Sequence, residues 1–125
     1  MSFRTNPTVD AFIAGADLSA KQYYFVKLDA SNANEVVLAG AGEEAIGILT
    51  NTPASGEAAE VTVSGGSYLS IADATIAIDS MVKSDAAGQG TIASVTGDFA
   101  VARVIEAGTS ADDFVEVIVE KRLIA

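Results

Sequence analysis

Two adjacent carboxylate pairs, Glu43-Glu44 and Asp112-Asp113, are the first places to look for chemistry in this chain. An acid/base couple of the glycosidase type needs one carboxyl buried or crowded, so that it holds its proton near neutrality. Both pairs instead lie among Gly, Ala and Ser, in loop sequence where carboxylates stay solvated. Gly40-x-Gly42-x-x-Ala45 imitates a dinucleotide fingerprint, which must open a helix whose N-terminus holds the pyrophosphate. Ile46-Gly47-Ile48-Leu49 follows at once and Pro53 soon after, leaving no room for that helix, so the stretch reads as a turn. Asp29-x-Ser31-x-Ala33 and Asp85-x-Ala87-x-Gln89 put Ala where a cation loop needs oxygen ligands, and Asx turns account for both. Tyr23-Tyr24-Phe25 could stack on sugar rings, although aromatics within a strand more often serve the core or a subunit contact. With no Cys and no His, disulfides, Cys/His zinc sites and His-based triads are excluded. The residues therefore assign no catalytic, metal or cofactor site, and the chain reads as a non-enzyme.

The elements that would position any site are short and extended. Gln22–Leu28 is an aromatic, β-branched run, with Tyr24, Val26 and Leu28 on one face and Tyr23, Phe25 and Lys27 on the other. Glu35–Leu38, Ala45–Leu49 and Glu60–Ser64 follow as strands, with Glu57-Ala58-Ala59 free to add a helical turn. Tyr68–Ile71, Thr75–Ile78, Ser80–Lys83, Thr91–Ala93 and Phe99–Glu106 are further strand-like segments. Phe114–Glu120 has the clearest alternation, predicting Val115, Val117 and Val119 inward and Glu116, Ile118 and Glu120 outward. No segment keeps a 3.6-residue period. Short strands with Gly and Asn turns predict a single all-β domain, a β-sandwich or small β-barrel.

The pattern occurs twice. Registering 14–64 on 70–120 without a gap gives identities at positions 16, 17, 26, 27, 29, 30, 60, 61 and 63, clustered where strands begin. This predicts an approximate internal duplication within a β domain over 14–125, preceded by an extended arm over 1–13. Asn6-Pro7 breaks that arm, and Phe3, Val9, Phe12 and Ile13 are its apolar handles.

At 125 residues the chain has the size of one domain. Seventeen acidic against seven basic residues give a net charge of −10, a field that repels nucleic acid and anionic membrane. The start lacks the basic and apolar regions of a signal peptide, and no window reaches the ~20 apolar residues of a spanning helix. The expectation is a soluble, unexported protein.

In the order IAGADLSAKQYYFVKLD, GEEAIGILTNTPASGEAAEVTVSG, DSMVKSDAAGQGTIAS and EAGTSADDFVEVIVE, covering about residues 12–120, the chain resembles the small cement (decoration) proteins of tailed bacteriophage capsids. The resemblance implies a β-rich domain on the outer face of a mature virion shell, made in the host cytoplasm. It implies clustering as a homo-oligomer, commonly a trimer, that bridges neighbouring subunits of the major capsid protein. By position alone, it carries an arm that reaches the capsid onto Phe3, Arg4, Asn6, Pro7, Val9 and Phe12. The alternative reading is a β-sandwich module binding glycans or a host surface, which would need exposed aromatics on one face; Trp is absent.

Overall fold

The computed structural model describes residues 7–73 and 75–124. It contains nine strands and, among the described residues, no helix. They are β1 (Thr8–Ala14), β2 (Phe25–Leu28), β3 (Glu35–Leu38), β4 (Gly47–Leu49), β5 (Ala58–Ser70), β6 (Met81–Ser84), β7 (Gly90–Ile92), β8 (Phe99–Val104) and β9 (Phe114–Leu123). Hydrogen bonding runs in the order β1-β3-β2-β4-β5-β9-β8-β6-β7. The all-β expectation holds, and the sheet is barrel-like because it closes on itself.

Closure occurs twice. β1 pairs with β3 in parallel and with β5 antiparallel, so β1, β3, β2, β4 and the first half of β5 form a ring. The second half of β5 pairs with β9, then β8, β6 and β7 follow, and a parallel bridge from Ile71 to Gly90 returns to the end of β5. β5 is thus the last strand of one ring and the first of the next. Its register with β1 is shifted at Thr8/Val9, and Gly65 near its middle has φ +85°. Three segments differ from expectation. Ala58 and Ala59 are strand, not helical turn, because β1 pairs with both. Glu60–Ser64 and Tyr68–Ile71 fuse into one strand, because Gly65 and Gly66 continue the ladder against Val119 and Ile118. Thr75–Ile78 contributes only a bridge from Ile76 to Gly108.

The two rings use the same connections. Lys27↔Val37 and Lys83↔Thr91 pair alike, as do Leu49↔Val61 and Val104↔Val117. Left-handed backbone recurs at matching places: Tyr23 with Asp79, Asn34 with Gly88, Gly42 with Gly97, and Gly56 with Asp112. Such φ values cost L-residues energy, so their recurrence marks turns that the ring itself demands. At the start of the second strand Tyr23 N–H donates to Leu49 O, and Asp79 N–H donates to Val104 O. Lys27–Glu43 and Lys83–Asp98 are matching ion pairs at 2.7 and 2.9 Å. In each the carboxylate also accepts a backbone N–H three residues earlier, from Gly40 or Val95.

Two apolar clusters fill the rings. One gathers Ala14, Leu18, Val26, Val36, Leu49, Ala59 and Val61, with Phe12 and Val63 packed against it. The other gathers Leu69, Ile71, Val82, Val101, Val104 and the three inward valines of β9, but also Phe25 and Ile48 from the first ring. Phe25 N–H donates to Gly88 O, Ser70 N–H to Tyr23 O and Gly42 N–H to Ser84 O, so backbone stitches the rings together. In the first ring the corresponding seam is already shut: Ile13 N–H bonds directly to Asn34 O.

Candidate functional site

The most open stretch of the sheet is β1. Thr8-Val9-Asp10-Ala11-Phe12-Ile13-Ala14 alternates, and Pro7, which has no N–H to offer a ladder, precedes it. Phe12 and Ala14 turn into the first core; Phe12 stands opposite Ala59, and Asp10, on the same side of the strand, stands opposite Val61. Val9, Ala11 and Ile13 point outward with Thr62, Glu60 and Ala58 opposite, leaving Val9 46% and Ile13 42% exposed.

A cleft of about 210 Å³ opens next to Val9, walled by Pro7, Val9, Tyr23, Thr50, Thr62, Gly66 and Ser67. It sits over the middle of β5, where the strand passes between rings. Its size suits one large side chain, well below the span of a typical cofactor pocket. Tyr23 is held over it by the left-handed turn described above and meets Tyr68 and Phe114 edge-on at 5.7 and 5.4 Å. Because Asp79 adopts the same backbone in the other ring, the strain belongs to the fold, whereas the aromatic side chain belongs to this surface. Phe114 is exposed at its rim.

Beneath this aromatic group lies a polar anomaly. Glu116, expected on the wet face of its strand, is only 8% exposed, and its Oε2 is buried without a hydrogen-bond partner. The alternation is correct, but the outward face of β9 is covered: Tyr68 stands opposite Glu116 on β5, and Glu106 Oε1 accepts the Glu116 N–H at 3.0 Å. Val115, Val117 and Val119 are buried as predicted. The Tyr68 hydroxyl is pushed to a higher pKa, first by loss of water and then by the Glu116 and Glu106 carboxylates.

The other singled-out residues are dispersed. Glu43 is tied to Lys27 at 2.7 Å and held below the ordinary carboxylate range, chiefly by that hydrogen bond and then by the Gly40 N–H. Asp113 accepts the N–H groups of Thr109 and Ser110, 3.1 Å each. Asp29 and Asp85 cap Asx turns through the Ser31 and Ala87 N–H groups. Gly40–Ala45 leads into β4 without a helix. Among the described residues no three His, Cys, Asp or Glu side chains gather to hold a metal ion. Of the N-terminal contact set, Phe3, Arg4 and Asn6 lie outside the described residues; Pro7 and Val9 wall the cleft, and Phe12 is half-buried against the first core. Residues 8–13 of the expected arm are a paired strand. Thr50, Thr62 and Ser67 had no sequence signal as site residues, except that Thr62 is a hydroxyl between two inward valines.

No protein-family model matches the sequence, nor does any curated relative. Among solved structures, the chain is similar to the N base of the head fiber gp8.5 in bacteriophage phi29, with a TM-score of 0.70 at 10% identity. The match covers 92% of this chain and 95% of that one. At this identity the likeness is one of fold.

Proposed function

We propose that this chain is a non-enzymatic structural protein of a tailed bacteriophage virion, seated on the outer capsid surface as a cement. The observation that carries the reading is the fold it shares, over nearly all of both chains, with a phage head fiber base. The sequence resemblance to capsid cement proteins, over about residues 12–120, supports the same reading. Of the four carboxylates considered for acid/base work, Glu43 is held by Lys27 and the Gly40 N–H, and Asp113 by the Thr109 and Ser110 N–H groups, which supports a structural role for these two.

A cement works by mass action. A protein that binds only the closed lattice stabilises each site by RT ln(1 + [L]/Kd), about 2.7 kcal/mol at a hundredfold excess over Kd. Bridging several major capsid subunits at once multiplies weak contacts into a durable one. A trimer with the N-terminal set Phe3, Arg4, Asn6, Pro7, Val9 and Phe12 turned to the shell is the arrangement we propose. Pro7 and Val9 offer exposed apolar surface, and Phe12 anchors β1 to the core behind them.

The test is to mix purified protein with undecorated mature shells of the phage that encodes it. Bound copies are counted after sedimentation, and shell melting is followed by calorimetry. Saturable binding and a raised melting temperature are expected. No binding and no shift would end the cement reading.

A further inference from the structure

We propose that the outer edge of β1, with the cleft beside Pro7, is a docking strand for an extended, basic segment of a capsid subunit. This rests on the capsid reading above and specifies its contact.

The edge is open for a geometric reason. Glu60 O accepts from Thr50 on the far side of β5, so the Ala11–Glu60 pair is one whose backbone groups face away from each other. Ile13 N–H accordingly points to the other side and bonds Asn34 O. Val9 and Ala11 share that direction, but β3 reaches only Ile13 and Ala14. Their N–H and C=O groups therefore stand on a free edge, with no partner among the described residues. Natural sheets commonly blunt such an edge with Lys, a bulge or a covering loop. Here the edge is flanked by the exposed row Val9, Ala11 and Ile13, which no lysine guards.

Charge selects the partner. Asp10 lies in the strand, Glu60 opposite Ala11 and Glu35 opposite Ile13. None of the three makes a salt bridge among the described residues, whereas Lys27, Lys83 and Arg103 are all paired with other carboxylates. An added strand would complete the ladder at Val9 and Ala11 and place Lys or Arg beside these carboxylates. Where it passes Pro7, one large apolar side chain would fill the cleft between Val9 and Tyr23. A second copy of this chain suits the edge less well, because it brings the same acidic surface.

The experiment compares three full-length proteins on undecorated mature shells at low and moderate salt: the parent, Ala11→Pro, and Asp10→Asn/Glu35→Gln/Glu60→Gln. Ala11→Pro removes an outward N–H and no bond to β5, so it should keep its circular dichroism and melting temperature. It should bind at least tenfold more weakly. The triple variant should also bind at least tenfold more weakly at low salt and lose most of the parent's salt dependence. If the parent does not bind, the capsid reading itself fails. If the parent binds and both variants match it, only this inference is overturned. A drop in oligomer mass for Ala11→Pro, with shell binding per subunit unchanged, would assign the edge to a second copy and likewise overturn it. Should Ala11→Pro misfold, the triple variant, which alters no ladder bond, decides alone.

Discussion

At the scale of single residues, burial decides outcomes that alternation alone misjudges. Val117 is fully buried, so Val117→Asp should cost several kcal/mol by introducing a charge with no partner in the core. Glu116, its neighbour, is the informative contrast. Its Oε2 has no hydrogen bond, and the Glu106 carboxylate accepts the Glu116 backbone N–H, so Glu116→Gln should leave stability unchanged or raise it by about 1 kcal/mol. Urea denaturation of the two variants checks both, and a loss from Glu116→Gln would mean that the carboxylate has a partner in solution. The sequence showed which valines point inward, because a period of two is visible in it. It could not show that Glu116 is covered, because the cover is Tyr68 from a strand 48 positions away and the loop that carries Glu106.

A titrating pair offers a test of sign. Asp98 is held below the ordinary carboxylate range by the hydrogen bond from Lys83 and then by the Val95 N–H. A carboxylate whose folded pKa is depressed contributes stability that is complete above its unfolded value of about 4 and is lost as pH falls through the folded value. Asp98→Asn should therefore lower the urea midpoint at pH 7, flatten the decline of stability on acidification below pH 4, and match the parent at the acid end. A variant that tracked the parent at every pH would show that the Lys83 pair contributes nothing.

At the scale of elements, the shared strand couples the rings. Phe25 and Ile48 belong to the first ring by sequence and to the second ring's apolar cluster by contact. Phe25→Ala should cost about 3–5 kcal/mol and lower a single unfolding transition, not one of two. Scanning calorimetry that resolved two transitions in the parent would refute this coupling. Gly47 shows how tightly β4 sits on β5: a methyl group there would run into the Thr62 carbonyl, so Gly47→Ala should destabilise by about 1–3 kcal/mol. Strand positions were legible wherever β-branched residues gathered, as in β3, β8 and β9. β1 was not, because Pro7 and the polar residues before it resemble a tail, and only β5 and β3 make residues 8–14 a strand. The junction within β5 was equally hidden: two glycines read as a break in the sequence, yet Gly65 and Gly66 keep their partners on β9.

At the scale of the whole molecule, the residues fix what the surface repels more readily than what it holds. A net charge of −10 argues against nucleic acid, and the strand pattern announces an all-β body. The cleft was not legible because its walls come from four separate stretches, and only folding brings Pro7, Tyr23, Thr50 and Gly66 together. If shell binding runs through unpaired carboxylates, it should weaken by tenfold or more between 50 and 300 mM salt, on the order expected for a few screened charge pairs. Binding that strengthened with salt would point to an apolar contact instead.

β5 also has a mechanical meaning. Its 13 residues make a continuous tie of about 40 Å through the body of the protein. Tension along that tie is resisted in shear by β1 and β4 over one half and by β9 over the other, so many ladder bonds must fail together. A pull applied at β7, a strand of three residues, would instead unzip its bonds one at a time. The molecule should thus be stiff along β5 and compliant across β7. Single-molecule extension from handles at the two ends of β5 should need severalfold more force than extension from β7.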